Sequence, residues 1–204
     1  EVPGLRLVAS FGGYADLPRV IAYLTTGAHA HGPRRYVDTP EPYNRWKLLG
    51  LLVGFVEDPR DRERLQALVR RKLEDPAAPM GEIRETLGAE GRSVLALVLN
   101  RREEEVGALL GRLSPRAREA LERLSPARVV ARLPGRVLIA HGAGDVSIPF
   151  TESLHLGEAV GGRARVVILE SFHHTGPRPF WSSFRGWLAD GRGLVGLADA
   201  LLAQ

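Results

Sequence analysis

Two short runs stand out in the hydrophobic pattern of the chain, Val137-Leu-Ile-Ala140 and Val166-Val-Ile-Leu169. Neither contains a polar residue, and both are rich in branched side chains, which predicts two strands, the first of them buried on both faces. Gly142 and Gly144 close the first run and permit a sharp turn at its carboxyl end. A third short run, Leu5–Ala9, is followed by Gly12-Gly13, and it reads as another strand.

Elsewhere the apolar positions follow helical spacing. Asp16 has the side chain for an N-cap, with Pro18 in the first turn; Val20, Ile21 and Leu24 share one face, and Gly27 stops the helix. Residues 28–42 are dominated by His, Gly and Pro and read as a loop. Trp46, Leu49, Val53 and Val56 recur at helical intervals, and Asp58-Pro59 opens a helix that turns Leu65, Leu68, Val69 and Leu73 inward. Pro76 and Pro79 interrupt the chain, and Ser93–Asn100 is read as helix because its neighbours are helical. Ser114-Pro115 and Ser125-Pro126 each look like a cap followed by proline at the first helical position, and Leu121 and Leu124 supply the apolar face between them. Beyond the first buried run, Thr151 is expected to cap a helix ending at Gly161-Gly162. Phe180, Phe184, Trp187 and Leu188 predict a closing helix, followed by a short helical piece over Leu194–Leu202. The expected organisation is α/β: residues 1–40 begin a mainly parallel sheet, 41–130 form a helical insertion, and 131–204 return to the sheet.

The candidate chemistry lies in the loops that follow the two buried runs. Asp145 sits in the turn after the first, within Ala140-His-Gly-Ala-Gly-Asp-Val-Ser-Ile-Pro149; Gly-Asp is also ordinary turn chemistry. The second run leads into Ser171-Phe-His-His-Thr-Gly-Pro177. An acid after one strand and a histidine after the next follow the order Ser…Asp…His, minus the serine. Residues 134–177 resemble the C-terminal segment of a serine-type α/β hydrolase, where a strand running into His-Gly-x-x-Asp-x-x-x-Pro carries the triad acid. The segment Leu5-Arg-Leu-Val-Ala-Ser-Phe-Gly-Gly-Tyr-Ala-Asp16 is similar to the strand and turn after the nucleophile helix of such enzymes. The resemblance implies a partial α/β-hydrolase sheet with a helical lid, Asp145 as the acid and His173 or His174 as the base. His174 is preferred, because Thr175-Gly-Pro follows it directly and adjacent residues of an extended loop point apart.

No Gly-x-Ser-x-Gly occurs in the chain. Ser10 follows a strand and precedes a helix, but Val8 stands where a nucleophile elbow calls for a small residue, so the serine is expected upstream of Glu1. The implied activity is hydrolysis of an ester, thioester, amide or peptide bond in a small-molecule substrate once the missing N-terminal half is restored. The alternative is a non-catalytic relative acting as a binding module. The lid residues Trp46, Phe55, Leu95 and Leu97 suggest an apolar pocket.

Composition narrows the rest. Zero cysteines exclude disulfides, thiolate metal sites and a Cys nucleophile. The net charge of +4 comes from arginines dispersed along helical segments rather than gathered into a basic run, which argues against nucleic acid as a partner. No stretch is long and apolar enough to span a membrane, and a cytoplasmic location is expected. His141 is assigned a structural place in its turn, and Glu170 a solvated strand end. His29 and His31 lack an acidic or Cys neighbour in sequence, so no metal and no cofactor is expected.

Overall fold

In a computed structural model the chain is described at residues 4–170, along the backbone of 172–173 and 176–177, and at residues 190, 191, 193, 195, 196, 198 and 199. In chain order these form β1 (Leu7–Phe11), α1 (Leu17–Thr26), β2 (Ala28–His31), β3 (Arg34–Val37), α2 (Pro42–Val53), α3 (Pro59–Glu74), α4 (Ile83–Thr86), α5 (Ala89–Leu99), α6 (Val106–Gly111) and α7 (Pro115–Arg123). Then follow β4 (Arg136–Gly142), α8 (Thr151–Val160), β5 (Ala164–Leu169) and the short strands β6 (Phe172–His173) and β7 (Gly176–Pro177). The fold is α/β with a mainly parallel sheet. Two compact units divide it, one drawn from residues 1–20, 29–36 and 125–204 and the other from 21–28 and 37–124.

The first unit is built on the parallel sheet β1-β4-β5. Its central strand, β4, is buried from Val137 through His141, as an apolar run flanked on both sides requires. Alternation sends Val137 and Ile139 to one face, against Ala15, Val130, Leu156 and Val160, and Leu138 and Ala140 to the other, with Leu7 and Val167. α8 lies on the first of these faces, and Gly157 lets it come close: a Cβ there would run into the Cγ2 methyl of Val166. β1 is an edge strand, none of its residues is fully buried, and it begins two residues later than the apolar pattern predicts. The connection 28–42, expected as a loop, contains the two-stranded ribbon β2-β3. Composition misled there because the ribbon is held by contacts distant in sequence. His29 stacks on Tyr36 at 5.1 Å, and both rings meet Phe150 edge-on.

The second unit is helical apart from its chain ends. Asp58 caps α3 as its sequence predicts, accepting from the Arg60 and Asp61 amides, and Ser114 caps α7 through the Ala117 amide. Gly27 ends α1 at φ +79°, its amide donating to Tyr23 O. Leu49, Leu52, Leu65, Leu68 and Leu97 are fully buried and form the core. Ser125-Pro126 opens only a 3-10 turn rather than an α-helix. The Ser125 hydroxyl is drawn away from any cap, accepting instead from the Leu17 amide at 2.9 Å.

Asp61 knits this unit together. Its buried carboxylate accepts from the Gly88 and Gly91 amides at 2.7 and 2.8 Å, at the start of α5. A Cβ on Gly91 would lie 2.7 Å from Asp61 Oδ2 and 2.9 Å from Leu87 Cδ2. Gly→Ala inside a helix ordinarily stabilises by about 0.5–1 kcal/mol. Here the carboxylate is pinned by two amides and has nowhere to retreat. Gly91→Ala should therefore destabilise by about 1–3 kcal/mol in urea unfolding, the usual penalty of overpacking; a gain in stability would refute the close approach.

Candidate functional site

The turn after β4 sets Asp145 in place. Its amide donates to Gly142 O at 3.1 Å, closing the tight turn that the glycines allow. Its side chain then folds forward, with Oδ1 accepting from the Ser147 and Ile148 amides at 2.8 and 3.0 Å. An aspartate that binds its own downstream backbone in this way has one defined rotamer. Oδ2 lies on the other side of the carboxylate, near the turn that follows β1. It lies 3.4 Å from His141 Nε2, and 3.7 Å from where a Cβ would stand on Gly12, just past β1. The carboxylate is almost wholly buried, at 4% exposure. It occupies the region where open parallel sheets place ligands and chemistry, beyond the carboxyl ends of the strands.

His141 has the structural place its sequence context predicts. Its Nε2 lies 3.1 Å from Ile148 O; a carbonyl can only accept, so this nitrogen carries the proton. Nδ1, 2.6 Å from Ser153 Oγ, is left to accept the hydroxyl proton. Ser153, His141 and Asp145 thus line up in a Ser-His-Asp order of contacts, but Ser153 is 0% exposed and His141 is 1% exposed. No acyl group reaches a hydroxyl so enclosed. The trio is scaffolding that fixes the Asp145 turn to α8. Glu152, also buried, does the same for the opposite turn, accepting from the Ala15 and Asp16 amides at 3.0 and 2.8 Å and from Arg19 Nε at 2.7 Å. Sequence reasoning missed both Glu152 and Ser153; their one signal was polar side chains inside an otherwise apolar helix stripe.

Thr151, expected as the cap of α8, is instead its first residue, and its hydroxyl lies 3.0 Å from His29 Nδ1. His174 lies outside the described residues, as does the closing helix expected over 180–188; His173 is described by its backbone alone. That backbone belongs to β6, which pairs antiparallel with β7 and runs beside β4. Glu170 is exposed, as expected, and its amide donates to the buried carboxylate of Asp190 at 2.9 Å.

Ser10 is not on a turn. It sits within β1, paired with Ile139 of β4. A nucleophile elbow holds its serine in a strained backbone conformation, and no non-glycine residue among those described has a positive φ. Of the four residues expected to shape a pocket, Trp46, Leu95 and Leu97 are buried in the core of the helical unit. Phe55 instead lines a cavity of about 360 Å³ together with Arg116, Arg123 and Leu124. Leu124 is 43% exposed rather than part of the core face of α7.

Neither a family model nor a curated protein matches the chain. Solved structures do, weakly. A 2-hydroxy-6-oxo-6-phenylhexa-2,4-dienoate hydrolase from Rhodococcus sp. strain RHA1 is 20% identical with a TM-score of 0.29, over 94% of this chain and 54% of the other. A meta-cleavage product hydrolase from Pseudomonas fluorescens IP01 is 21% identical with a TM-score of 0.29, over 94% of this chain and 64% of the other. An esterase from Rhodococcus sp. ECU1013 is 16% identical with a TM-score of 0.27, over 93% and 65%. The chain spans between about half and two thirds of the length of these hydrolases.

No described helix is long and apolar enough to cross a membrane. Away from Asp145, His31, His155 and Glu158 come together at the outer end of β2 and along α8. The acidic neighbour that His31 lacks in sequence is thus supplied by the fold.

Proposed function

We propose that this chain is the acid- and base-bearing portion of a serine-type α/β hydrolase, acting on an ester, thioester, amide or peptide bond of a small-molecule substrate by acyl transfer. Asp145 orients the imidazole of His174 and steadies its charged form, and His174 takes the proton of a serine carried by sequence upstream of Glu1. The observation that carries this reading is the Asp145 carboxylate itself, buried just beyond the central strand and locked by two amides. β6, just after the neighbouring parallel strand β5, lies beside β4, which suits a base delivered to that carboxylate. Among the described residues β1 lies at an edge of the sheet, where a strand bearing the serine would pair. In this reading the helical insertion serves as the lid.

A second reading has one observation in its favour. With no non-glycine residue at positive φ among those described, the described residues offer no elbow of their own, which suits an α/β-hydrolase-like protein that binds without catalysing. A fluorophosphonate probe separates the two. The full-length protein should be labelled covalently, and labelling should vanish in His174→Ala; a protein that never labels is the binder. Labelling of residues 1–204 alone would return the nucleophile to this chain and revive Ser10.

A further inference from the structure

β2 and α8 meet in matched register. In a strand, residues two apart point to the same side about 6.6 Å apart, and in a helix residues four apart share a face at about 6 Å. His29 accordingly meets Thr151, with Nδ1 3.0 Å from the hydroxyl, and His31 meets His155, with ring centroids 5.0 Å apart. One helical turn on from His155, Glu158 reaches both imidazoles. Its Oε1 lies 2.8 Å from His31 Nε2, and its Oε2 lies 3.4 Å from His155 Nδ1.

The proton on the His155 ring is placed for metal binding, whereas His31 Nε2, against the Glu158 carboxylate, gives up its proton when an ion takes its place. His155 Nε2 lies 2.9 Å from Ala30 O, and a carbonyl can only accept, so Nε2 carries the hydrogen and Nδ1 presents its lone pair. A ring nitrogen bonded to backbone carbonyl, with the opposite nitrogen free to coordinate, is the usual support of a metal-ligating histidine. The three candidate donor atoms, His31 Nε2, His155 Nδ1 and a Glu158 carboxylate oxygen, all lie within 4.8 Å of one another. The histidine side chains are about one-quarter exposed (26% and 23%), whereas Glu158 is 62% exposed and free to swing onto an ion arriving from solvent.

We propose that His31, His155 and Glu158 form a binding site for a divalent first-row transition metal, Zn²⁺ foremost, with water in the fourth position. Two imidazoles and one carboxylate are a donor set that zinc accepts, and one that the oxygen-seeking Mg²⁺ and Ca²⁺ do not favour. The site lies apart from Asp145 and does not depend on the hydrolase reading. A bound ion ties the β2-β3 ribbon to α8, the helix whose first turn supplies Glu152 and Ser153. Its effect is therefore a clamp on the scaffold, with no part in acyl transfer.

The test uses the full chain without an affinity tag. Zn²⁺ titrated calorimetrically should bind at one equivalent and raise the unfolding temperature, and Co²⁺ should give visible bands that Zn²⁺ displaces. His31→Ala and His155→Ala should each weaken binding at least tenfold and remove the thermal shift, as should Glu158→Gln, which leaves the packing untouched. Mg²⁺ should produce neither effect. Substoichiometric binding, or equal affinity in the histidine variants and in Glu158→Gln, would overturn the proposal.

Discussion

On the proposed triad, Asp145→Asn in the full-length protein should lower ester hydrolysis about 10⁴-fold, the scale of loss when the acid of a Ser-His-Asp triad is neutralised. The reason is electrostatic as well as geometric. An amide in place of Oδ2 offers a donor where the base needs an acceptor, so the imidazole is held in the wrong tautomer and its charged form goes unsupported. The fold should survive this change. Asparagine keeps an acceptor for the Ser147 and Ile148 amides, so the turn after β4 stays closed. Its new amide would face the Nε2–H of His141, 3.4 Å from the present Oδ2, and that donor–donor contact should cost about 1 kcal/mol. The expected signature is a collapse of kcat with an unfolding midpoint lowered by only a few degrees. Asp145→Ala is a poorer experiment, because it also strips both amides of their partner. A loss below tenfold in the asparagine variant, with the fold intact, would take the catalytic acid elsewhere.

Arg45 should show the largest effect on stability. Its guanidinium is buried within the helical unit and donates to Val98 O at 2.5 Å, Asn100 O at 2.9 Å and Thr25 O at 2.8 Å. It gathers the ends of α1 and α5 onto α2, and no neutral side chain offers five donors in a fixed plane. Burial first, and the nearby charge of Arg101 second, push its pKa down to about 10, so it is still charged at neutral pH. Arg45→Met should keep much of the packing volume while leaving those carbonyls without their donor. Each buried polar group so stranded costs about 1–3 kcal/mol, and the variant should lose about 3–5 kcal/mol in urea unfolding. Arg45→Lys should recover part of this, since an ammonium reaches some of the carbonyls but not all. Wild-type stability in the methionine variant would mean that water satisfies the carbonyls equally well, and that the arginine is not what holds the helix ends.

The parts of this molecule that were legible in its sequence share a physical cause. Where an element is settled by neighbours in the chain, the pattern speaks: Asp58 and Ser114 each bind amides two or three residues ahead, and Gly27 ends its helix by a backbone angle that needs no partner. The buried central strand was equally plain, because a strand covered on both faces has no polar position to spare. The Asp145 turn was readable as a turn for the same local reason. Thr151 and Ser125 were not readable. Each has the chemistry of a helix cap, and each is taken by a group more than 100 residues away in the chain, His29 in one case and the Leu17 amide in the other. The β2-β3 ribbon was hidden likewise, its strands being steadied by Phe150 and Thr151 rather than by a hydrophobic alternation of their own.

By itself, then, the order of residues determined the buried central strand, the starts of α3 and α7, the end of α1, and that a carboxylate follows the central strand. Tertiary structure alone decided which polar groups are consumed as scaffold. It buried Ser153 and His141 beneath the Asp145 turn, left Ser10 inside a strand, and carried His155 and Glu158 to His31. Local pattern reports the conformations that a backbone favours. The partner of a side chain depends on register between elements distant in sequence, and that register is set by packing, as where Gly157 admits Val166 and seats α8 on the sheet.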